Sequence, residues 1–174
     1  LICLDLSSGR LVWKRDLASD FRVPQGFFGT VGTPLLVGDR LVVNIGKVGG
    51  PSVAAFDTRT GKQLWGAGKQ WGSGYASPRL VTLHGKKRVL VFAGGESRPP
   101  TGGLMLIDPA TGKLELEFPW RSRKYESVNA SCPLMVGGNR IFVSASYQTG
   151  TVLLEIGKNL DSHKVVWKMV DAEH

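Results

Sequence analysis

One phrase, written three times at a fixed interval, constrains this chain more than any other feature. "LDLSSGRLVWK", "FDTRTGKQLWG" and "IDPATGKLELE" carry Asp5, Asp57 and Asp108, which are 52 and 51 residues apart. Self-similarity at such a period means that the fold is a stack of repeated supersecondary units, none of which buries its apolar face alone. The eighth residue after each acid is Trp13, Trp65 and Leu116. Another 51 residues on lies Trp167, in "HKVVWKM", so a fourth copy ends on schedule. Its nearest acid on the preceding strand, Glu155, stands 12 residues before the Trp instead of eight, and the turn between them is correspondingly longer.

A second phrase alternates with the first. It reads "GTPLLVGDRLVVNIG", "ASPRLVTLHGKKRVLVFAGG" and "SCPLMVGGNRIFVSAS". Each has a small residue before Pro34, Pro78 or Pro133, then an apolar run, a Gly-bearing polar turn and a second run rich in Val, Leu, Ile or Phe. Two such runs joined by a Gly turn read as a hairpin. Pro is tolerated at the mouth of a strand because that first N–H need not enter the ladder. The unit is therefore hairpin, loop, hairpin. Residues 32–67, 76–118 and 131–169 each hold a four-stranded unit, and residues 1–15 supply only the last two strands of another. Tandem four-stranded units at this period predict an all-β fold, a β-propeller of antiparallel blades with about three and a half blades present.

The residues of the phrase have structural work to do. Asp57 stands where a carboxylate accepts backbone N–H groups two or three residues on. Gly61 sits where a tight hairpin needs positive φ, and Gly9 and Gly112 hold the equivalent places. Trp65 lies on the fourth strand, able to fold over a neighbouring sheet, and Ala55 leaves room for its ring. A buried Trp covers about 150–250 Å². Asp5, Gly9, Trp13, Asp57, Gly61, Trp65, Asp108, Gly112 and Trp167 are thus expected to close turns and dock one blade on the next, not to catalyse.

The pattern Ala-x-Asp-x-x-Thr-Gly-x-x-x-Trp resembles the repeat of pyrroloquinoline-quinone-type (PQQ-like) β-propellers. Ala55, Asp57, Thr60, Gly61 and Trp65 match it in full; Asp5, Gly9 and Trp13 match in the first copy and Asp108, Thr111 and Gly112 in the third. "GYASP", "NASCP" and "SYQTG" add to the likeness to bacterial members. The resemblance implies a ring of about eight blades, of which this chain is an open fragment whose remaining blades lie elsewhere in the same protein. It implies a periplasmic or otherwise exported location. Members include quinoprotein dehydrogenases and a lipoprotein that helps assemble outer-membrane β-barrels, and fold does not choose among them. The dehydrogenases place adjacent cysteines against the quinone and a Glu, Asn and Asp set around calcium. Cys3 and Cys132 are single and far apart, and no run of acids reads as a calcium site. No cofactor is expected; PQQ with Ca²⁺ belongs only to the alternative, a fragment of a PQQ-dependent dehydrogenase.

The net charge of +8 admits an acidic partner. Yet Lys86, Lys87 and Arg88 crowd a hairpin tip, and Arg121, Arg123 and Lys124 a loop, with no aromatic-basic strip or base-reading helix. Solvated turns are expected and nucleic acid is not. No stretch has helical apolar periodicity or the length of a membrane span. Cys3 and Cys132 read as buried small residues.

In a four-stranded meander the one–two and three–four turns share one face, and the two–three loops and inter-blade connections share the other. Here the first set is tight and the second long. Recognition groups concentrate on long loops held by a rigid scaffold, so a protein partner or small ligand is expected there. Candidates are Arg22, Gln25, Lys69, Trp71 and Tyr75, with Arg98, Arg121, Arg123, Tyr125 and Asn129. Trp71 and Tyr75 could stack a planar group and the arginines hold a carboxylate; packing beneath the loops is the competing role for the two aromatics. His84, His163 and His174 lie in turns or at the end, none beside a Ser or Cys partner. No metal spacing or phosphate loop is present.

Overall fold

The computed structural model describes residues 1–24, 32–95 and 97–170. β1 (Ile2–Leu4) and β2 (Leu11–Lys14) form a two-stranded sheet. The second sheet holds β3 (Leu35–Val37), β4 (Arg40–Asn44), β5 (Val53–Asp57) and β6 (Gln63–Ala67). The third holds β7 (Arg79–Leu83), β8 (Lys86–Ala93), β9 (Gly103–Ile107) and β10 (Leu114–Pro119). The fourth holds β11 (Leu134–Met135), β12 (Arg140–Ala145), β13 (Gly150–Ile156) and β14 (His163–Met169). Each strand pairs antiparallel with its sequence neighbour, so every sheet is a meander. The fold is all-β and forms part of a propeller. β3 and β7, the first strands of adjacent sheets, approach each other and mark the inner side.

Period-two alternation explains how the sheets stack. Successive side chains of a strand point to opposite faces. Val89 and Val91 of β8, with Met105 and Ile107 of β9, bury against Val42, Val53 and Ala55 of the second sheet. Their neighbours Leu90, Phe92, Leu104 and Leu106 bury against Ile141, Val143, Val152 and Leu154 of the fourth. Ala54 and Phe56 of β5 turn instead toward Leu1, Leu17 and Phe21 at the first sheet. A middle strand is therefore covered on both faces, which is why "GLMLI" is apolar throughout and all five of its residues are buried.

The recurring turn is closed locally. Asp57 accepts from the N–H of Arg59 (3.1 Å) and Thr60 (2.8 Å) and from the Thr60 hydroxyl (2.7 Å). Asp5 accepts from the Ser8 N–H (2.8 Å) and from the Ser7 and Ser8 hydroxyls, both at 2.6 Å. Asp108 accepts from the N–H of Ala110 (2.8 Å) and Thr111 (3.0 Å). These bonds favour the charged carboxylate. The serine hydroxyls hold Asp5 down to about 2, and Thr60 lowers Asp57. At Asp108 burial pushes the pKa up, but the two N–H donors and the nearby Arg88 outweigh it.

The turn glycine answers to two demands. Gly61 and Gly112 have φ of 69° and 74°, a left-handed conformation that costs other residues. Each also lies under the indole of the preceding sheet: a Cβ on Gly61 would meet Trp13 at 2.8 Å, and one on Gly112 would meet Trp65 at 2.7 Å. The indole N–H of Trp13 donates to the Thr58 carbonyl (2.9 Å) and that of Trp65 to the Pro109 carbonyl (3.0 Å). The small residue opposite each indole is visible in the register, where Cys3 pairs with Trp13 and Ala55 with Trp65.

The third junction is built otherwise. Leu116 replaces the indole, and the facing turn supplies Leu160, fully buried at φ 70°. His163 meets the Phe118 ring edge-on at 5.0 Å, and Phe118 stacks on Trp120 at 5.9 Å. His84, left-handed in its hairpin turn (φ 48°), crosses the same junction; its N–H donates to the Asn139 side-chain oxygen (2.6 Å) and its Nε2 lies 2.8 Å from the Ile156 carbonyl.

Trp167, expected to dock on a further blade, is 42 % exposed and lies 6.0 Å from Phe142 of its own sheet; no sheet beyond β14 is among the described residues, so that expectation stands untested. Other expectations need correction. Arg88, read as a solvated turn residue, is buried in a paired pocket, bonded to both oxygens of Glu115 and 3.5 Å from Asp108. Cys132, read as buried, is exposed, and Cys3 is half-buried. A helix too short to show periodicity, α1 (Leu17–Phe21), follows the first sheet, capped by Asp16 accepting from the Ser19 N–H.

Candidate functional site

The two faces of the stack differ in construction. Where the tight turns lie, turn braces turn: the Thr58 N–H donates to Asp39 (3.0 Å) and that of Ile156 to Asn139 (2.9 Å). A shallow pocket of about 420 Å³ there holds His84 and an Arg140–Glu155 pair at 2.9 Å. On the other face the long loops are tied to one another. The Gly94 N–H donates to Gly72 (3.0 Å), that of Asn129 to Gly94 (2.8 Å) and that of Tyr75 to Asn129 (2.8 Å). This layer leaves no space at Gly95, where a Cβ would stand 2.0 Å from the Ser73 carbonyl.

That interlock redistributes the residues expected on the long-loop face. Asn129 is a strap: buried, it donates to the carbonyls of Ala93 (2.8 Å) and Trp120 (3.0 Å). Trp71 is buried beneath the loops, its carbonyl accepting from the Ser52 hydroxyl (2.8 Å), so its ring is not offered to a ligand. Tyr75 is half-buried. The apolar body of an aromatic ring gains more by covering the core than by facing water, and these loops give it core to cover. Lys69 is exposed, and its carbonyl holds the Gly49 N–H at 2.8 Å. Arg22 is exposed too, left-handed at the end of α1 and away from the rest. Gln25 lies outside the described residues.

The structure brings together the remaining four in two places. Arg98 lies over the Tyr125 ring, 3.8 Å from its centroid, and both are exposed. Arg121 and Arg123 line a cleft of about 600 Å³ between the connection into the fourth sheet and the loop before β13. One amino nitrogen of Arg121 is held by the carbonyls of Gly95 (2.6 Å) and Ser127. Its Nε and other amino nitrogen are buried without a partner. Burial pushes the Arg121 pKa down, opposed in part by Tyr147. The opposite wall holds Tyr147, Gln148 and Thr149, which sequence reasoning missed although "SYQTG" was in view. Tyr147 and Gln148 have φ of 61° and 65°. Glycine in the sequence advertises positive φ; these two residues do not.

A family model described as "Outer membrane protein assembly factor BamB" matches residues 1–173. The chain belongs to this family of PQQ-like repeats. No match was found among curated proteins. Among the described residues no helix is long and apolar enough to cross a membrane. No three Asp, Glu, His or Cys side chains converge among the described residues; Cys3 lies on β1 and Cys132 in the segment before β11.

Proposed function

We propose that the chain is a binding propeller that offers its long-loop face to a protein partner and performs no chemistry of its own. One observation carries this reading. The long loops are locked together by backbone bonds, yet they leave a basic cleft in which Arg121 has donors to spare. Rigid loops around unsatisfied donors suit recognition, since a preorganised surface loses little entropy on binding. The family's name, an outer-membrane assembly factor, supports a protein partner and an exported, periplasmic setting. No cofactor takes part. In the competing reading, a fragment of a quinone-dependent dehydrogenase, the catalytic residues lie on other blades or partly on these loops.

The test is direct. The complete protein that contains this chain is purified, mixed with pyrroloquinoline quinone and Ca²⁺, desalted and inspected for a bound chromophore and for dye reduction with alcohols or sugars. The expected result is a folded, colourless protein without dye reduction. A stoichiometric chromophore accompanied by turnover overturns the binding reading.

A further inference from the structure

The cleft beside Arg121 has features that turn-and-plug architecture does not require. Among its described lining residues Arg121, Arg123 and Lys124 are basic, and none is acidic. Arg121 is fixed in place by two carbonyls, but no carboxylate among the described residues pairs with it, and two of its nitrogens are buried without acceptors. Leaving such donors unsatisfied is costly. Across the cleft the Thr149 hydroxyl is likewise buried and unpartnered. Donors on both walls thus have no acceptor among the described residues.

The far wall is also strained. Tyr147 and Gln148 are consecutive non-glycine residues in the left-handed region, a conformation that costs of order 1–3 kcal/mol each and clusters at ligand clamps. The loop is held there from across the cleft, with the Ser122 hydroxyl donating to the Tyr147 carbonyl at 2.8 Å. Strain, surplus donors and uncompensated positive charge coincide in one concavity of a size suited to a ligand group.

We propose that this cleft is a carboxylate-recognition site that takes an acidic segment of a protein partner, with Arg121 and Thr149 donating to the carboxylate from opposite walls. The inference rests on the binding-propeller reading and names what its long-loop face recognises. With one amino nitrogen already held by Gly95 and Ser127, Arg121 offers a charged single donor, its Nε–H, to a carboxylate oxygen. Arg123 and Lys124 add attraction at the rim that weakens with salt.

The experiment titrates the ¹⁵N-labelled chain with a capped pentapeptide carrying two glutamates. Its glutamine counterpart, succinate and inorganic phosphate are run alongside. The Arg121 Nε–H resonance is followed together with the affinity. The acidic peptide is expected to shift that resonance and to bind at least about tenfold more tightly than the glutamine peptide. Thr149→Val is expected to weaken it about fivefold to tenfold, the worth of one hydrogen bond. Lys86→Gln, on the opposite face, should leave binding unchanged. Arg121→Lys should abolish the preference for glutamate; where that variant fails to fold, Thr149→Val and Arg123→Gln carry the measurement. Equal binding of both peptides, indifference to Thr149→Val, or phosphate binding as tightly as the peptide would overturn the proposal. The quinone measurement is independent, so absence of peptide binding defeats the cleft alone.

Discussion

Two kinds of junction hold these sheets together. At the first two, an indole on an outer strand closes over a glycine turn and donates to a carbonyl of that turn, Trp13 to Thr58 and Trp65 to Pro109. At the third, two leucines and an aromatic group with His163 fill the space. In the first kind the large group comes from one side, and the other must be bare. In the second, the turn itself contributes bulk, through Leu160. Volume is conserved across the junction while its division between the sheets is not. That agrees with the tolerance of cores for volume-conserving exchange.

The largest effect should come from filling a socket. Gly112→Val puts a branched side chain into the Trp65 indole and onto a left-handed φ, and should cost about 3–5 kcal/mol of unfolding free energy in urea. A loss under about 1 kcal/mol would mean that the plug is loose. Trp65→Ala should cost a similar about 3–5 kcal/mol through the cavity it leaves.

At the leucine junction, Leu116→Trp should destabilise by about 1–3 kcal/mol through overpacking, because Leu160 already occupies the space. Adding Leu160→Gly should recover part of that loss, since it empties the socket and relieves the positive φ. The pair should therefore deviate from additivity by about 0.5–3 kcal/mol in a double-mutant cycle. Strict additivity would show that the two kinds of junction are not equivalent fillings of one space. A smaller effect separates shape from hydrogen bonding. Trp13→Phe keeps a ring over Gly61 but loses the donor to Thr58, and should cost about 1 kcal/mol in the same denaturation.

The smallest effect is one of pH. The pKa values of Asp5 and Asp57 are lowered on folding by the hydroxyl and N–H donors of their turns. Their contribution is therefore complete above the unfolded carboxylate value, about 3.9, and is lost as pH falls through the folded values, toward about 2 for Asp5. Amide exchange at Ser8 and Thr60 should accelerate over that window. The turn at Leu160, closed by the Gly157 N–H on Ser162 (2.9 Å), should respond less. Equal responses would show that the carboxylates do not hold the indole-type turns.

Fold was legible because its signals are local and repeated. An Asp, a Gly and an apolar residue at fixed offsets specify a hairpin wherever they occur, and alternation tells which side chains face each neighbour. The binding face was legible only in outline. Loop length located it, but Trp71 and Asn129 went to packing and strapping, while Tyr147, Gln148 and Thr149 carry no mark that sets them apart as sequence. Arg88 shows the same limit: its charge read as exposure until Glu115 and Asp108 were seen beside it.

By itself, the sequence determined the repeat, the strand order within each sheet and the turns, since these follow from periods of two and about fifty residues and from glycine's freedom at positive φ. Tertiary structure alone decided which donors were left over. Whether Arg121 finds acceptors depends on loops from three different stretches of chain meeting at one point, and such a meeting has no period to betray it.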